Sequence, residues 1–189
     1  MLIDAGEPCS HTLKRMGVDF NSLDAVYITH SHSDHIGGLP MLLQSCWLEQ
    51  RRRPLPVHLP AGVIQPFRDW IRCCHLLEDK LGFAIEWKPI AGCRTTHLPE
   101  AYCLSFGRRF AYSGDIGSPN DLDPLFPVET LVVELAHFHP QTLADYLKDK
   151  GLRQLILTHI GRPARARLPE VRALFPNAHI ANDGDCLPI

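Results

Sequence analysis

Over its first half the chain switches between a strand-like and a helix-like pattern of apolar positions. Leu23 to Thr29 (LDAVYIT) is a β-branched apolar run that stops at a polar cluster, and Pro56 to Leu59 and Phe83 to Ile90 share its strand character. Between these runs, Met41 to Arg53 carries apolar residues at 42, 43, 47 and 48. Gln65 to Leu81 carries them at 67, 70, 71, 76, 77 and 81, again with helical spacing. Ser10 to Met16 predicts a short helix ended by Gly17, and Leu2-Ile3 running into Asp4-Ala5-Gly6 reads as a strand end and its turn.

From residue 93 the strands shorten. Tyr102 to Phe106 and Phe110 to Tyr112, joined by Gly-Arg-Arg, predict a hairpin, and Thr130 to Leu135 a further strand. A helix from Thr142 to Lys150, closed by Gly151, leads into a strand from Leu155 to Thr158. Pro169 to Phe175 predicts a last short helix and Ala178 to Ala181 a last strand. No low-complexity linker and no repeat interrupts the series, so the expectation is one layered α/β domain over 1–189. A strand that ends at residue 3 leads to the further expectation that strands usually preceding it have been lost.

A length of 189 residues suits such a domain, which buries roughly 70% of the surface its unfolded chain exposes. An apolar content of 45% excludes disorder, and the lack of an apolar run of about 18 residues excludes a membrane span. With no leader-like start, a cytoplasmic location is expected. The 19 basic and 21 acidic residues give a net charge of −2, so any polyanion must be held by a local patch. Arg153, Arg162, Arg165, Arg167 and Arg172, set against the single acid Glu170, form one basic stretch. Arg51-Arg52-Arg53 reads as a helix end facing its dipole and solvent. The seven cysteines lack CxxC spacing, which argues against a thiolate zinc site or a disulfide framework. Eleven histidines are the unusual part, and their placement carries the chemistry.

Four ligand-type side chains, His30, His32, Asp34 and His35, fall within Ile28-Thr-His-Ser-His-Ser-Asp-His-Ile-Gly-Gly38, just after a predicted strand. Imidazoles with a carboxylate are a donor set that Zn²⁺ prefers, with other divalent metals compatible. His30 and His32, at i and i+2 on a strand exit, can aim at one ion, while Asp34 and His35 lie past the bend. The same grammar recurs downstream. His97, Asp115 (after Phe110-Ala-Tyr-Ser-Gly114) and His159 (after Leu155-Ile-Leu-Thr158) each sit at the end of a short strand or its turn.

These motifs, in this order, resemble the metallo-β-lactamase-fold hydrolases. Their HxHxDH signature is matched by His30, His32, Asp34 and His35, and their later single His, Asp and His by His97, Asp115 and His159. The resemblance runs from Leu2 to about Gly161 and implies a four-layer αββα sandwich, here shortened at its amino end. It implies two divalent metal ions, Zn²⁺ by default with Mn²⁺ or Fe as alternatives. One would be held by His30, His32 and His97, the other by Asp34, His35 and His159, with Asp115 bridging. Asp4 matches a turn that supports the ligand loop. A metal-bridging hydroxide would be the nucleophile, with Asp34 orienting it or receiving its proton.

Within the superfamily the wording is closest to the ribonuclease Z and phosphodiesterase-like branch. His137 in Glu134-Leu-Ala-His137 precedes His159 by 22 positions, the spacing at which ribonuclease Z-like enzymes place a histidine that protonates the leaving group; Phe138-His139 stands where the family has Ser-Thr. The resemblance thus implies Asp34, His137 and Glu134 as catalytic side chains. It implies a phosphodiesterase acting on a small phosphodiester, a nucleotide or RNA. No Gly/Pro-rich basic arm for gripping transfer RNA lies between Gly38 and His97. Two alternatives stand beside this reading. One is a lactone or thioester hydrolase on the same metals; the other is a truncated metal-binding domain of little activity, pairing as a homodimer through an apolar edge at Leu2-Ile3.

Overall fold

A computed structural model describes residues 1–188. The chain divides into two compact units, Met1–Ala91 and Gly92–Ile189.

In the first unit, strands β1 (Leu2–Ile3), β2 (Val26–Tyr27), β3 (Leu55–Leu59) and β4 (Ile85–Pro89) form a parallel sheet in that order. Parallel neighbours need crossovers, and helices α1 (Cys9–Arg15), α2 (Ser33–Ile36), α3 (Leu39–Leu48) and α4 (Ala61–Cys73) lie in those connections. In β3 burial alternates with the pleat. Leu55, Val57 and Leu59 are fully buried and the residues between them are not. They share one core with Leu39, Leu42 and Leu43 of α3 and with Phe67 and Ile71 of α4. Each such side chain contributes about 1.5–3 kcal/mol by leaving water.

In the second unit, β5 (Cys93–Arg94), β6 (Tyr102–Phe106), β7 (Phe110–Tyr112), β8 (Thr130–Leu135), β9 (Gln154–Ile160) and β10 (His179–Ile180) make a six-stranded sheet ordered β10-β9-β8-β7-β6-β5. The predicted hairpin is present as the antiparallel β6–β7 pair, and β7 to β10 pair in parallel. Helices α5 (Pro140–Leu147), α6 (Arg162–Arg165) and α7 (Leu168–Leu174) supply Leu143, Ala164 and Val171 to its core, packed with Leu131, Val133 and Leu157. No helix among the described residues is long and apolar enough to cross a membrane.

Two predicted helices end early, for the same reason. α3 stops at Leu48 rather than Arg53, because Gln50 turns left-handed at φ 55° and the Arg51 N–H bonds back to the Cys46 carbonyl at 2.9 Å. α4 stops at Cys73 rather than Leu81, with His75 left-handed at φ 57° and the Leu76 N–H bonded to the Ile71 carbonyl at 3.0 Å. Leu76 and Leu81 still reach the core, but from a loop.

The expectation for Arg51 is overturned outright. Its side chain is fully buried and donates to the carbonyls of Phe20 and Leu23 at 2.8 Å, Arg53 at 2.8 Å and Pro54 at 2.9 Å. Five donors in a planar fork let one guanidinium satisfy backbone acceptors that the turn leaves open. It is a clamp of the fold, not a solvent-facing helix end.

Candidate metal centre

Each unit carries a cluster of the predicted donors. In the first unit the cluster is built on Asp4, which follows β1 with a left-handed backbone, φ 57°. Its Oδ1 accepts the Thr29 N–H at 2.8 Å, its carboxylate accepts the Thr29 hydroxyl at 3.0 Å, and its Oδ2 accepts from His35 Nδ1 at 2.8 Å. Thr29 Oγ1 lies 3.1 Å from His30 Nδ1. With the hydroxyl proton directed to Asp4, that oxygen accepts from Nδ1–H. Both His30 and His35 are thereby held in the tautomer that leaves Nε2 as a lone-pair donor. His30 Nε2 faces His32 Nδ1 at 3.1 Å, and His35 Nε2 lies 3.7 Å from Asp34 Oδ2. Asp4 supports the ligand loop, as its turn implied.

Gly6 explains why that turn ends in glycine. A β-carbon there would come within 1.8 Å of the Asp34 carbonyl oxygen, so only a residue without a side chain lets the turn pass beneath the ligand loop.

In the second unit the centre is Asp115, buried at the exit of β7. Its Oδ2 has three imidazole nitrogens around it: His97 Nε2 at 3.7 Å, His159 Nε2 at 3.7 Å and His137 Nε2 at 3.8 Å. These separations exceed a hydrogen bond. Atoms that each bind a common cation at about 2.0–2.2 Å come to rest about 3–4 Å apart, so the distances from Asp115 to His97 and to His159 each fit a carboxylate that shares a cation with that histidine. The Thr95 hydroxyl donates to the Asp115 carbonyl at 2.9 Å, and Asp121 Oδ2 accepts from Thr96 N, Thr96 Oγ1 and Gly117 N at 2.9–3.0 Å. Asp121 therefore ties the His97 loop to the Asp115 loop; nothing in its sequence spacing marked it.

His159 owes its aim to an irregular strand. In the β8–β9 ladder Glu134 pairs with Thr158 and Leu135 with Ile160, so His159 is an extra residue, left-handed at φ 45°. A non-glycine residue in that region stores about 1–3 kcal/mol, and such strain gathers at functional positions.

Glu134, grouped with the catalytic residues from sequence, is saturated with hydrogen bonds from the protein. It is buried, and its Oε1 accepts from Ile116 N at 2.9 Å and His137 Nδ1 at 2.8 Å. Its Oε2 accepts from Ala136 N at 2.7 Å and His137 N at 3.2 Å. Asp115, Glu134 and His137 offer donor atoms within 4.8 Å of one another, yet these four bonds commit Glu134 to the protein. It holds His137 with Nε2 turned toward Asp115.

A ribonuclease Z of Agathobacter rectalis is 32% identical over an alignment of 264 positions that takes in 97% of this chain and 86% of the relative. The chain belongs to the ribonuclease Z family. A ribonuclease Z of Pseudomonas putida is 42% identical over 90 residues, 47% of this chain and 27% of that protein, so the matched stretch spans about a quarter of that relative. Residues 1–71 also match the family model described as "Anti-Pycsar protein Apyc1". Among solved structures, the short form of human tRNase Z superposes with a TM-score of 0.70 at 19% identity, covering 99% of this chain and 88% of that one. The metallo-β-lactamase fold protein YhfI of Bacillus subtilis gives 0.72 at 21% identity, covering 97% and 85%. A diphosphatase of the PhnP family gives 0.71 at 18%, covering 99% and 79%. The chain has the metallo-β-lactamase fold, as the motif order implied.

Proposed function

We propose that the chain is a dinuclear metal-dependent phosphodiesterase of the ribonuclease Z type. His30, His32, Asp34, His35, His97, Asp115 and His159 are the side chains that would hold the two divalent ions. The observation that carries the reading is the arrangement at Asp115 Oδ2, with three imidazole nitrogens at 3.7–3.8 Å, one of them on a histidine pinned by a buried glutamate. Zn²⁺ suits the imidazole-rich donor set. When bound, the ions supply an activated water at neutral pH and a positive field for the phosphoryl oxygens.

The side chains do the rest. Asp34, the more exposed of the carboxylates, orients the attacking water and takes its proton. His137, with Nδ1–H donated to Glu134, acts in its imidazolium form, whose Nε2–H goes to the departing oxygen and leaves a neutral ring. Glu134 is a positioning residue, fixing which nitrogen faces the reaction. Since the metals need deprotonated ligands, activity falls as pH drops through the histidine range.

A small nucleotide or single-stranded substrate suits the surface better than a folded RNA. Arg51 is buried and Arg53 is paired with Asp24 at 2.9 Å, so the Arg51-Arg52-Arg53 run does not present three free cations to a phosphate backbone. The A. rectalis alignment is also longer than this chain, so the relative carries segments that this chain does without.

The metal-loaded protein should split bis(p-nitrophenyl) phosphate and leave a lactone and a thioester untouched. Turnover of the carbonyl substrates alone would replace this proposal with a lactonase or thioesterase.

A further inference from the structure

In the second unit a cavity of about 260 Å³ opens between the loop that follows β8 and helix α7. His137, Phe138, Leu174, Arg167 and Glu170 are among the residues that line it, with the side chains of Arg167 and Glu170 more than half exposed. We infer that this cavity is a nucleobase subsite for the leaving-group side of the substrate. The inference rests on the phosphodiesterase reading and names what that site recognises.

Four observations carry it. The cavity shares His137 with the reacting centre, and the Nε2 of that ring lies 3.8 Å from Asp115 Oδ2. Whatever fills the cavity is therefore one side chain away from the oxygen that His137 protonates. The volume lies just below the roughly 300–1,000 Å³ of drug-sized sites, which suits one ring system and excludes a duplex. The lining pairs an aromatic residue, Phe138, with the aliphatic Leu174, the surroundings in which an unstacked base is held by its faces. Finally, Arg167 Nη1 and Glu170 Oε2 are 3.9 Å apart and both side chains are more than half exposed. Such a loose pair offers both a donor and an acceptor to the polar edge of a base while the ring stays in the apolar part.

The test uses the full, metal-loaded chain and calorimetric binding of adenosine 5′-monophosphate against ribose 5-phosphate. Both probes carry the same phosphate, so the ratio of affinities isolates the base. The native protein should prefer the nucleotide by about five- to a hundredfold. Phe138→Ala and Leu174→Trp, which remove the aromatic lining and fill the cavity, should bring the ratio to about one. Phe138 and Leu174 are half-buried. The exposed Arg167→Ala is therefore the second variant, and it should lower the ratio several-fold with the fold intact. A native ratio of about one overturns the inference, as does a preference that survives all three changes. The ratio is read without turnover. A protein that keeps it and splits no phosphodiester defeats the hydrolase reading alone. One that hydrolyses bis(p-nitrophenyl) phosphate with a ratio of about one defeats the subsite alone.

Discussion

The first unit carries its donors, His30, His32, Asp34 and His35, in a single loop after β2, whereas the second collects His97, Asp115, His137 and His159 from the ends of β5, β7, β8 and β9. The supports differ in the same way. One carboxylate, Asp4, fixes the first cluster through Thr29 and His35. In the second, Asp121 and Glu134 each bind a different part, and a strand irregularity turns His159. A cluster close in sequence can be organised by one turn; a dispersed one needs a sheet in register. Damage to the first should therefore stay local, while damage to the second should spread through strand pairing.

Mutations can sharpen that contrast. The largest effect is expected from Asp115→Ala, which removes the carboxylate around which three histidines gather; hydrolysis of bis(p-nitrophenyl) phosphate should fall to background, measured beside metal content by atomic emission. Next comes His137→Ala, with a loss of about a hundredfold to ten-thousandfold on a dinucleotide, whose leaving alkoxide needs a proton. On the p-nitrophenyl ester, whose leaving group needs little protonation, the loss should be only several-fold. An equal loss on both substrates would assign His137 some other task.

Arg51→Leu should leave the chemistry alone and destabilise the first unit by about 3 kcal/mol, because four carbonyls lose their donor. A shift in the urea midpoint without a change in kcat for the surviving folded protein would show it. Asp4→Ala should weaken metal binding about ten- to a hundredfold through the orientation of His30 and His35. If competition with a chelator shows no weakening, the turn is not what holds those rings. The smallest effect concerns thiols. Burial pushes Cys46 up to about 11 and Cys103 up to about 12, so at pH 8 iodoacetamide should label the exposed Cys73, Cys74 and Cys186 and spare those two, as mass spectrometry would read.

The contrast also explains what could be read from the sequence. His30, His32, Asp34 and His35 stand out because their spacing is the geometry. His97, Asp115 and His159 became visible as a set only through the order of a known family. Thr29 and Asp121 escaped because a threonine at a strand exit and an aspartate in a 3-10 turn have no periodic signature; their value lies in partners 25 residues away. Glu134 was singled out, but only coordinates reveal four donors on its two oxygens. The strand from Thr130 to Leu135 was legible as a short apolar, β-branched run, and the hairpin because turn residues separate two such runs. Helix ends at Leu48 and Cys73 were not, because apolar spacing ran on past residues whose backbone had already reversed.

Because His159 is the surplus residue of β9, its position is a matter of counting as much as of identity. Shortening β9 by one residue between Leu157 and Ile160 would restore an even ladder opposite β8 and swing whatever occupied that slot to the opposite side of the sheet. The number of residues between Leu157 and Ile160 thus sets where this histidine faces as firmly as its identity sets what it offers.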